Sequence, residues 1–343
     1  MEQNSLISFA NVKANLFDPE VLTLLKPSVY NPTPERLKRR AEKYSADKNT
    51  FVYACKIDGV YAGIVVLKTG NDTAEILDIA VKPEYRKHGI GKSLIDFIFT
   101  QFPIDNITAE TDDEAVGFYK RCGFTITSVG EFCDTKRYFC NLSSVSKHYD
   151  LLIDENNDPA RDPEPLREYM DKWDGQQFID SLQLTKEKSV LEIGVGTGRL
   201  AVRVAPECRE FCGIDLSPKT VKRAKENLKE QTNVALICGD FMSYEFGRKF
   251  DVIYSSLTFM HIRDNQAAVN KVRSLLNIGG RFVLYIDKNQ SDTIDYGTRK
   301  IKIYPDNKED IVKYITQSGM NLMKVFETDF AFVFIAEMKQ NNS

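Results

Sequence analysis

The chain has 343 residues, more than one hydrophobic core usually supports, so two domains are expected. Its 46 basic and 49 acidic residues leave a formal net charge of −3, which argues against nucleic acid or an anionic membrane as the main partner. No segment approaches the roughly 18 uninterrupted apolar residues of a membrane helix, so a cytoplasmic protein is predicted. The three histidines are scattered and the seven cysteines form no C-x-x-C pair, so no metal site is expected.

The first part of the chain has the pattern of an antiparallel meander preceded by helices. Thr33 before Pro34 is typical of a helix start, and Asp58-Gly59 is typical of a tight turn between strands. The predicted elements are the strand Leu6–Phe9, the helices Pro19–Leu25 and Pro34–Tyr44, and the strands Thr50–Ile57, Tyr61–Lys68 and Ala74–Val81.

A basic loop interrupted by glycine follows the third strand of this meander. It reads Arg86-Lys87-His88-Gly89-Ile90-Gly91-Lys92, and the next residues, Ser93–Phe102, have a strongly helical pattern. Such a loop offers free N–H groups and the positive end of a helix dipole to an anion. It is therefore predicted to bind a pyrophosphate.

A second motif lies downstream, in the helical pattern from Ala115 to Phe124. The residues from Arg86 to Gly91 match the sequence pattern R/Q-x-x-G-x-G/A, and those from Ala115 to Phe124 match the pattern A-x-x-F-Y-x-x-x-G-F. Both patterns are motifs of the GNAT acetyltransferase superfamily, which residues 5 to 142 therefore resemble. The resemblance implies an α+β fold with a mixed, mostly antiparallel sheet, and acetyl-CoA as cofactor. Asp112 stands where many relatives have asparagine, which leaves its contact to the cofactor open.

The GNAT resemblance implies roles for several further residues. The acetyl thioester is expected against the end of the third meander strand, at Ile79, Ala80 and Val81, and an N–H there steadies the oxyanion. Tyr119 is the candidate acid for the departing thiolate, with a core aromatic as the alternative. Glu75 or Asp78 is the candidate base, but strand alternation points the two to opposite faces unless a bulge intervenes.

The composition changes after residue 143 to a polar segment rich in proline and aspartate. We expect the domain boundary near Ser143–Lys147, and short helices at Leu166–Met170 and Trp173–Leu182. Trp173, the only tryptophan, is either an aromatic lid over a pocket in the next domain or packing material between domains. The predicted domains are therefore 1–143, a linker and helical lid at 144–184, and 185–343.

An apolar strand in the second half breaks into three alternating glycines, in the run Glu192-Ile193-Gly194-Val195-Gly196-Thr197-Gly198. Glycine lets the backbone approach a ligand that a Cβ would exclude. Asp215, followed by Leu216, ends the next predicted strand, where a carboxylate accepts hydrogen bonds from ribose hydroxyls. The pair predicts a nucleoside site.

Strands and helices then alternate regularly, which predicts a parallel sheet with helices on both faces and an antiparallel hairpin at its edge. The predicted elements are the helix Leu200–Ala205, strand Glu210–Asp215, helix Pro218–Glu230, strands Val234–Cys238 and Asp251–Ser255, helix Gln266–Leu276, strand Arg281–Asp287, helix Lys308–Ser318, and strands Asn321–Thr328 and Phe330–Met338.

Residues 185 to 340 resemble the class I S-adenosylmethionine-dependent methyltransferases. Glu192, Gly194, Gly196 and Gly198 match the E/D-x-G-x-G-x-G motif, and Asp240 and Phe241 match the loop that contacts adenine. The resemblance implies a Rossmann-like, doubly wound fold and S-adenosylmethionine as cofactor. The dinucleotide pattern G-x-G-x-x-G fails because Arg199 stands at its last glycine.

The loop from Ser255 to His261 is expected to rim the pocket of the methyl acceptor. His261 is the candidate base, and Tyr254 and Asp287 are weaker candidates. The N/D-P-P-Y/F loop of many enzymes that methylate bases or amides is absent, since Tyr254-Ser255-Ser256-Leu257 occupies its place. A small-molecule acceptor is therefore favoured.

The leading hypothesis is a bifunctional transferase that acetylates an amine and methylates an acceptor, both of them small molecules. One alternative makes one domain a cofactor-binding or sensing module without turnover. Another makes the substrate a protein amine. The sequence leaves the oligomeric state open.

Overall fold

The structure is a computed structural model that describes residues 6–70, 72–102, 104–132, 134–297 and 300–339. It divides into two compact units, Met1–Ser144 and Val145–Ser343. The segment that the sequence assigns to a linker and lid thus lies almost wholly in the second unit. None of the helices in the described ranges combines the length and apolar character needed to cross a bilayer.

The first unit is a seven-stranded mixed sheet with helices on both faces. The strand order is β1-β2-β3-β4-β5-β7-β6, and every neighbouring pair is antiparallel except β4 with β5. This confirms the predicted mixed, mostly antiparallel sheet. Its elements are β1 Ile7–Asn11, α1 Pro19–Leu24, α2 Pro34–Ala46, β2 Thr50–Ile57, β3 Val60–Thr69, β4 Thr73–Val81, α3 Ile90–Gln101, β5 Asn106–Asp112, α4 Val116–Arg121, β6 Thr125–Phe132 and β7 Thr135–Ser143.

Two apolar layers hold this sheet between its helices. Leu94 and Ile98 of α3 pack with Tyr119 of α4 on one face, and Leu37 of α2 packs in the cluster on the other. Thr33 caps α2 as predicted, since its hydroxyl accepts the Arg36 N–H at 3.3 Å.

The second unit is a doubly wound sheet whose strand order is β10-β9-β8-β11-β12-β16-β15. The five strands from β10 to β12 are parallel, and β16 and β15 add the predicted antiparallel hairpin. Its elements are α5 Ser144–Asp154, α6 Glu164–Asp174, α7 Gln176–Ser181, β8 Ser189–Ile193, α8 Ala201–Val204, β9 Glu210–Asp215, α9 Pro218–Asn227, β10 Val234–Cys238, β11 Phe250–Ser255, α10 Asn265–Leu275, β12 Leu276–Asp287, β13 Thr293–Asp295, β14 Lys300–Lys302, α11 Lys308–Gln317, β15 Asn321–Glu327 and β16 Ala331–Glu337.

Helix α6 differs from the prediction because it runs through Trp173 and ends at Asp174. Gly175 caps the end of this helix, and a Cβ there would lie 2.7 Å from the Asp171 carbonyl oxygen. Trp173 packs against Phe330 at a ring separation of 4.6 Å, and its carbonyl accepts the Thr328 hydroxyl. In the second unit Trp173 therefore packs against the loop between β15 and β16.

A buried ion pair joins α6 to the glycine turn. The Asp174 side chain is fully buried and binds the guanidinium of Arg199 and the hydroxyl of Ser256, the latter at 2.6 Å. An exposed pair, Asp171 with Arg203 at 3.1 Å, lies one turn earlier on the same helix.

We expect Asp174→Ala to destabilise the second unit by about 3 kcal/mol, because Arg199 is left buried without its partner. Asp171→Ala is the matched control and should cost less than about 0.5 kcal/mol, since that pair is solvent-exposed. Urea unfolding followed by the fluorescence of Trp173, the only tryptophan, reports this unit selectively. Equal losses in both variants would contradict the assignment.

Candidate cofactor and acceptor sites

Strands β4 and β5 separate in the middle of the first unit's sheet. The two pair from Thr73 to Ile76, while β4 continues beside β3 as far as Val81. In the register of the described residues, Ile79, Ala80 and Val81 therefore have no partner in β5. A parallel pair that splays in this way leaves one edge of β4 available for an extended ligand.

The basic loop lies directly after this open edge. Arg86, Lys87 and His88 are exposed, and Lys92 is exposed in the first turn of α3. The Arg86 Nε donates to the Val81 carbonyl at 3.1 Å, which ties the loop to the end of β4. The first N–H groups of α3, from Ile90 onward, are those that a helix cannot satisfy internally.

The two glycines of this loop have different roles. Gly89 adopts a left-handed conformation with φ of 80°, and a Cβ there would meet nothing within 4 Å. At Gly91 a Cβ would lie 2.7 Å from the Phe118 ring. Gly89 therefore shapes an open turn, while Gly91 lets α3 pack against α4.

Tyr119 is buried on α4 between the rings of Phe118 and Phe124, each 5.1 Å away. Burial raises the pKa of its phenol well above the usual value, and the thiol of Cys140 and the carboxylate of Asp78 raise it further. The phenol is therefore protonated at neutral pH, as a proton donor requires.

A bulge in β4 separates the two candidate bases. Val66 pairs with Asp78 and Leu67 pairs with Ile76, so Leu77 is an extra residue. The bulge puts Glu75 and Asp78 on the same face of the strand, contrary to simple alternation.

The surroundings of these two carboxylates differ strongly. Asp78 is buried and accepts bonds from the Arg40 guanidinium at 2.7 and 2.9 Å and from the Tyr44 hydroxyl. Burial raises the pKa of Asp78, and these two partners oppose the rise. Since both oxygens are engaged, the geometry favours Asp78 as a structural anchor for α2. Glu75 is exposed and is the remaining candidate base.

Asp112 lies at the end of β5 and stabilises its own turn. Its carboxylate accepts the Glu114 N–H at 3.1 Å and lies 3.8 Å from Arg137. Its contact to a cofactor stays a prediction.

The three alternating glycines of the second unit all have positive φ, of 78°, 55° and 95° at Gly194, Gly196 and Gly198. A Cβ on Gly194 would overlap the Thr258 side chain, whereas one on Gly196 would meet nothing within 4 Å. The N–H groups of Gly194 and Val195 both donate to the Ile214 carbonyl, at 2.8 and 3.1 Å. The turn is therefore clamped against β9 and leaves open space beside Gly196.

Asp215 faces this turn from the end of β9. Its Oδ2 accepts the Gly196 N–H at 3.0 Å, and its Oδ1 accepts the Ser217 N–H at 2.9 Å. Burial raises the pKa of Asp215 even though these backbone bonds lower it. Each oxygen keeps a second lone pair, so the carboxylate can still accept a ligand hydroxyl.

Glu192 lies in β8 just before the turn, and its side chain is buried. It is 3% exposed, and its carboxyl accepts the Tyr254 hydroxyl at 2.8 Å. Burial raises the pKa of Glu192 well above its usual value, and the Tyr254 bond only partly offsets this.

The remaining predicted contacts surround the same end of the sheet. Ser255 is buried and donates to the Ile193 carbonyl at 3.0 Å, which joins β11 to β8. Asp240 accepts the Met242 N–H at 2.9 Å and is followed by the buried Phe241. The site residues of the second unit thus converge at the carboxyl ends of β8, β9, β10 and β11, where ligands of doubly wound folds bind.

Helix α5 covers this end of the sheet, which sequence reasoning missed. Ser146 donates to the Leu216 carbonyl at 3.1 Å, and Asp150 accepts the Ser217 hydroxyl at 2.7 Å and the Lys219 N–H at 3.0 Å. The sequence signal for these contacts is the spacing of Ser146 and Asp150 by one helical turn, which puts them on one face of a helix but does not predict what that face contacts.

His261 lies in a single 3-10 turn after β11, and its Nε2 is 2.8 Å from the Tyr149 hydroxyl of α5. Burial, with a smaller contribution from the nearby His148, lowers the pKa of His261 from 6.5 to about 4. The imidazole is therefore neutral at pH 7, and its buried Nδ1 has no hydrogen-bond partner among the described residues.

A separate pocket opens at the carboxyl ends of β11 and β12. Its charged and polar lining includes Thr258, Tyr285, Asp287, Asn289 and Asp306. The apolar part of the lining consists of Leu257, Phe259, Met260, Ile286, Ile303 and Pro305. Of the weaker candidates from the sequence, Asp287 lines this pocket, and Tyr254 is held by Glu192.

Each of the two units matches the model of a transferase family. Residues 19–124 match the model of the acetyltransferase (GNAT) family, and residues 190–280 match the model of a methyltransferase domain. The chain therefore contains a GNAT-family domain followed by a methyltransferase domain.

Curated relatives match part of the chain. A malonyl-acyl-carrier-protein O-methyltransferase 1 of Ilyobacter polytropus is 34% identical over 98 residues, which are 28% of this chain and 37% of the relative. An uncharacterized methyltransferase of Bacillus thuringiensis is 38% identical over 111 residues, 31% of this chain and 51% of the relative. The chain thus spans about a third to a half of the length of these relatives.

Solved structures also match. The N-methyltransferase NodS of Bradyrhizobium japonicum in complex with S-adenosyl-L-homocysteine has a TM-score of 0.44 and 14% identity, covering 58% of this chain and 100% of that one. A putative S-adenosylmethionine-dependent methyltransferase of Listeria monocytogenes has a TM-score of 0.44 and 15% identity, covering 49% and 97%.

The stability of the second unit should depend on pH through the ionisation of Asp306. Burial, with a smaller contribution from repulsion by Asp310, raises the pKa of Asp306 from 3.8 to about 7. Ionising Asp306 therefore costs the folded state stability as pH rises from about 4 to 7, and the cost is constant above that. We expect Asp306→Asn to stabilise the second unit by about 1 to 2 kcal/mol at pH 8 and not at pH 4.

The measurement is urea unfolding at both pH values, with Trp173 fluorescence as the signal. Asp292→Asn, at an exposed position, is the control and should behave as the parent at each pH. A gain for Asp306→Asn that is the same at pH 4 and pH 8 would show that the carboxyl does not titrate as described.

Proposed function

We propose that the protein is a cytoplasmic bifunctional transferase. Its GNAT domain transfers an acetyl group from acetyl-CoA to an amine, and its methyltransferase domain transfers a methyl group from S-adenosylmethionine to a small-molecule acceptor. The observation that carries the proposal is the presence of two distinct turns with left-handed glycines, at Gly89 and at Gly194 to Gly198. One has exposed cations beside it and the other has a buried carboxylate.

The open edge of β4 and the basic loop fit acetyl-CoA. Arg86, Lys87 and Lys92 offer positive charge to the phosphates, together with the N–H groups at the start of α3. Backbone groups at Ile79 to Val81 fit the amides of an extended pantetheine arm and the oxyanion of the transition state. Acetyl-CoA supplies the activated acetyl group.

Two side chains of the GNAT domain handle protons in this proposal. Glu75, directly or through water, takes the proton from the attacking amine nitrogen as the new C–N bond forms. Tyr119 gives its phenolic proton to the thiolate as the C–S bond breaks. The raised pKa of Tyr119 keeps that proton in place until the thiolate appears.

The second site fits S-adenosylmethionine, which supplies the methyl group. Asp215 has lone pairs for ribose hydroxyls, Asp240 is the candidate partner of the adenine amine, and the space beside Gly196 suits a ligand that approaches the backbone. Methyl transfer needs chiefly the alignment of a nucleophile with the sulfonium carbon. His261, neutral and buried near Tyr149, is the candidate base.

Two alternatives lead to different results in the same experiments. If one domain is a sensing module, it binds its cofactor without turnover. If the acceptor is a protein amine, small amines are poor substrates and peptides with a free N-terminus are good ones.

Calorimetry should detect two independent sites, one for acetyl-CoA and one for S-adenosylmethionine. Gly194→Ala should abolish the binding of S-adenosylmethionine and leave that of acetyl-CoA, because its φ of 78° and its contact with Thr258 exclude a Cβ. Gly89→Val should abolish the binding of acetyl-CoA and leave that of S-adenosylmethionine, since a β-branched residue is strained at φ of 80°. Each variant controls the other, and a missing site in the parent would refute half of the proposal.

Tyr119→Phe should lower the rate of acetyl transfer about 100-fold with little change in the affinity for acetyl-CoA. The measurement is release of free thiol in the presence of the best acceptor from a panel of amines. Tyr138→Phe is the matched control, because it removes an exposed phenol that donates to Asp113 at 2.7 Å. An unchanged rate in Tyr119→Phe would leave this tyrosine a core aromatic only.

A further inference from the structure

The pocket at the ends of β11 and β12 is unusual in its charge. Asp287 and Asp306 both line it, and none of its lining residues is a lysine or an arginine. Lys288 follows Asp287 in sequence, but its ammonium donates to the Thr328 carbonyl at 2.7 Å and lies 3.2 Å from Glu327. The pocket is therefore acidic and lacks a counter-charge of its own.

Each carboxylate is held by one oxygen only. Asp287 accepts the Asn289 N–H on Oδ1 at 2.8 Å, and Asp306 accepts the Asn265 amide on Oδ2. Across the described ranges, the second oxygen of each has no hydrogen-bond donor. Both side chains are thus oriented by a neutral neighbour and keep a free acceptor for a ligand.

A buried tyrosine among the lining residues is a second feature that favours a polar ligand. Tyr285 is 1% exposed, and in the described part of the chain its phenol oxygen has no hydrogen-bond partner. A buried hydroxyl without a partner costs stability, and a ligand that reaches it removes that cost. The raised pKa of Asp306 also favours a cationic ligand, because a nearby cation would offset the free-energy cost of ionising this buried carboxyl.

Apart from Thr258 and Asn289, the remaining lining residues are apolar, and they include Phe259, Met260 and Ile303. An ammonium group on an apolar body matches this combination, since carboxylates pair the charge and apolar side chains lie beside them.

We propose that this pocket binds the methyl acceptor through a cationic amino group held by Asp287 and Asp306, with the Tyr285 hydroxyl as a further polar contact. The inference rests on the proposed methyltransferase function and narrows its substrate to amine-bearing small molecules. It concerns recognition and leaves open which atom of the acceptor is methylated.

The test compares isosteric probes on the full chain saturated with S-adenosyl-L-homocysteine. The probes are phenethylamine against 2-phenylethanol and butylamine against 1-butanol, titrated by ligand-observed NMR at pH 7.5. We expect each amine to bind about tenfold more tightly than its alcohol, because a charge-assisted hydrogen bond is worth about 1.5 kcal/mol or more.

Variants then locate the effect. Asp287→Asn and Asp306→Asn should each lower amine affinity about tenfold and leave alcohol affinity unchanged, and Tyr285→Phe should lower amine affinity about threefold. Asp292→Asn removes an exposed carboxylate that does not line the pocket, so it should change neither. Melting temperatures and S-adenosyl-L-homocysteine affinity verify that each variant is folded.

The two proposals fail in different ways. If S-adenosyl-L-homocysteine does not bind the parent protein, the methyltransferase proposal fails. If it binds but the amines bind no better than the alcohols, or the Asn variants leave amine affinity unchanged, only the inference about the cationic acceptor is overturned.

Discussion

The buried contact of Asp174 with Arg199 and Ser256 is the interaction on which the second domain's site depends. Arg199 follows the glycine turn directly, and Ser256 follows β11, so one carboxylate joins α6 to both loops. The loop after β11 also supplies Thr258, whose side chain fills the space that a Cβ on Gly194 would need. The glycine turn and the loop after β11 are therefore held in one geometry by a single desolvated charge pair, and loss of the carboxylate should loosen both.

Carboxyl groups with raised pKa values give the second domain a common electrostatic character. Glu192 and Asp215 lie around the glycine turn and Asp306 lies in the neighbouring pocket, and burial is the largest cause in each. Acids whose pKa is raised by burial favour ligands that bring positive charge. A sulfonium cofactor and an ammonium acceptor both meet that condition, which links the two proposals for this domain. The GNAT domain has the opposite arrangement, with exposed cations beside its turn.

In the GNAT domain the bulge at Leu77 has the same organising role. It turns Asp78 toward Arg40 and Tyr44, where the carboxylate anchors α2, and leaves Glu75 exposed on the same face. The pairing of β4 with β5 ends at Ile76, directly before the bulge, so the different surroundings of the two acids and the open edge of β4 arise at the same point of the strand. Alternation along an ideal strand predicts none of this, because a bulge depends on how two strands pair.

The sequence by itself determined the two folds and the two turns. Periodicity, the Thr33 cap and the glycines at 89, 194, 196 and 198 are local signals, and local sterics at positive φ give them one interpretation. Only the tertiary structure decided which polar groups meet: the engagement of Asp78, the burial of Glu192, the approach of α5 to Leu216, and the sharing of one pocket by Asp287 and Asp306. These contacts join residues far apart in the chain, and the free energy of each depends on burial, which no local pattern encodes.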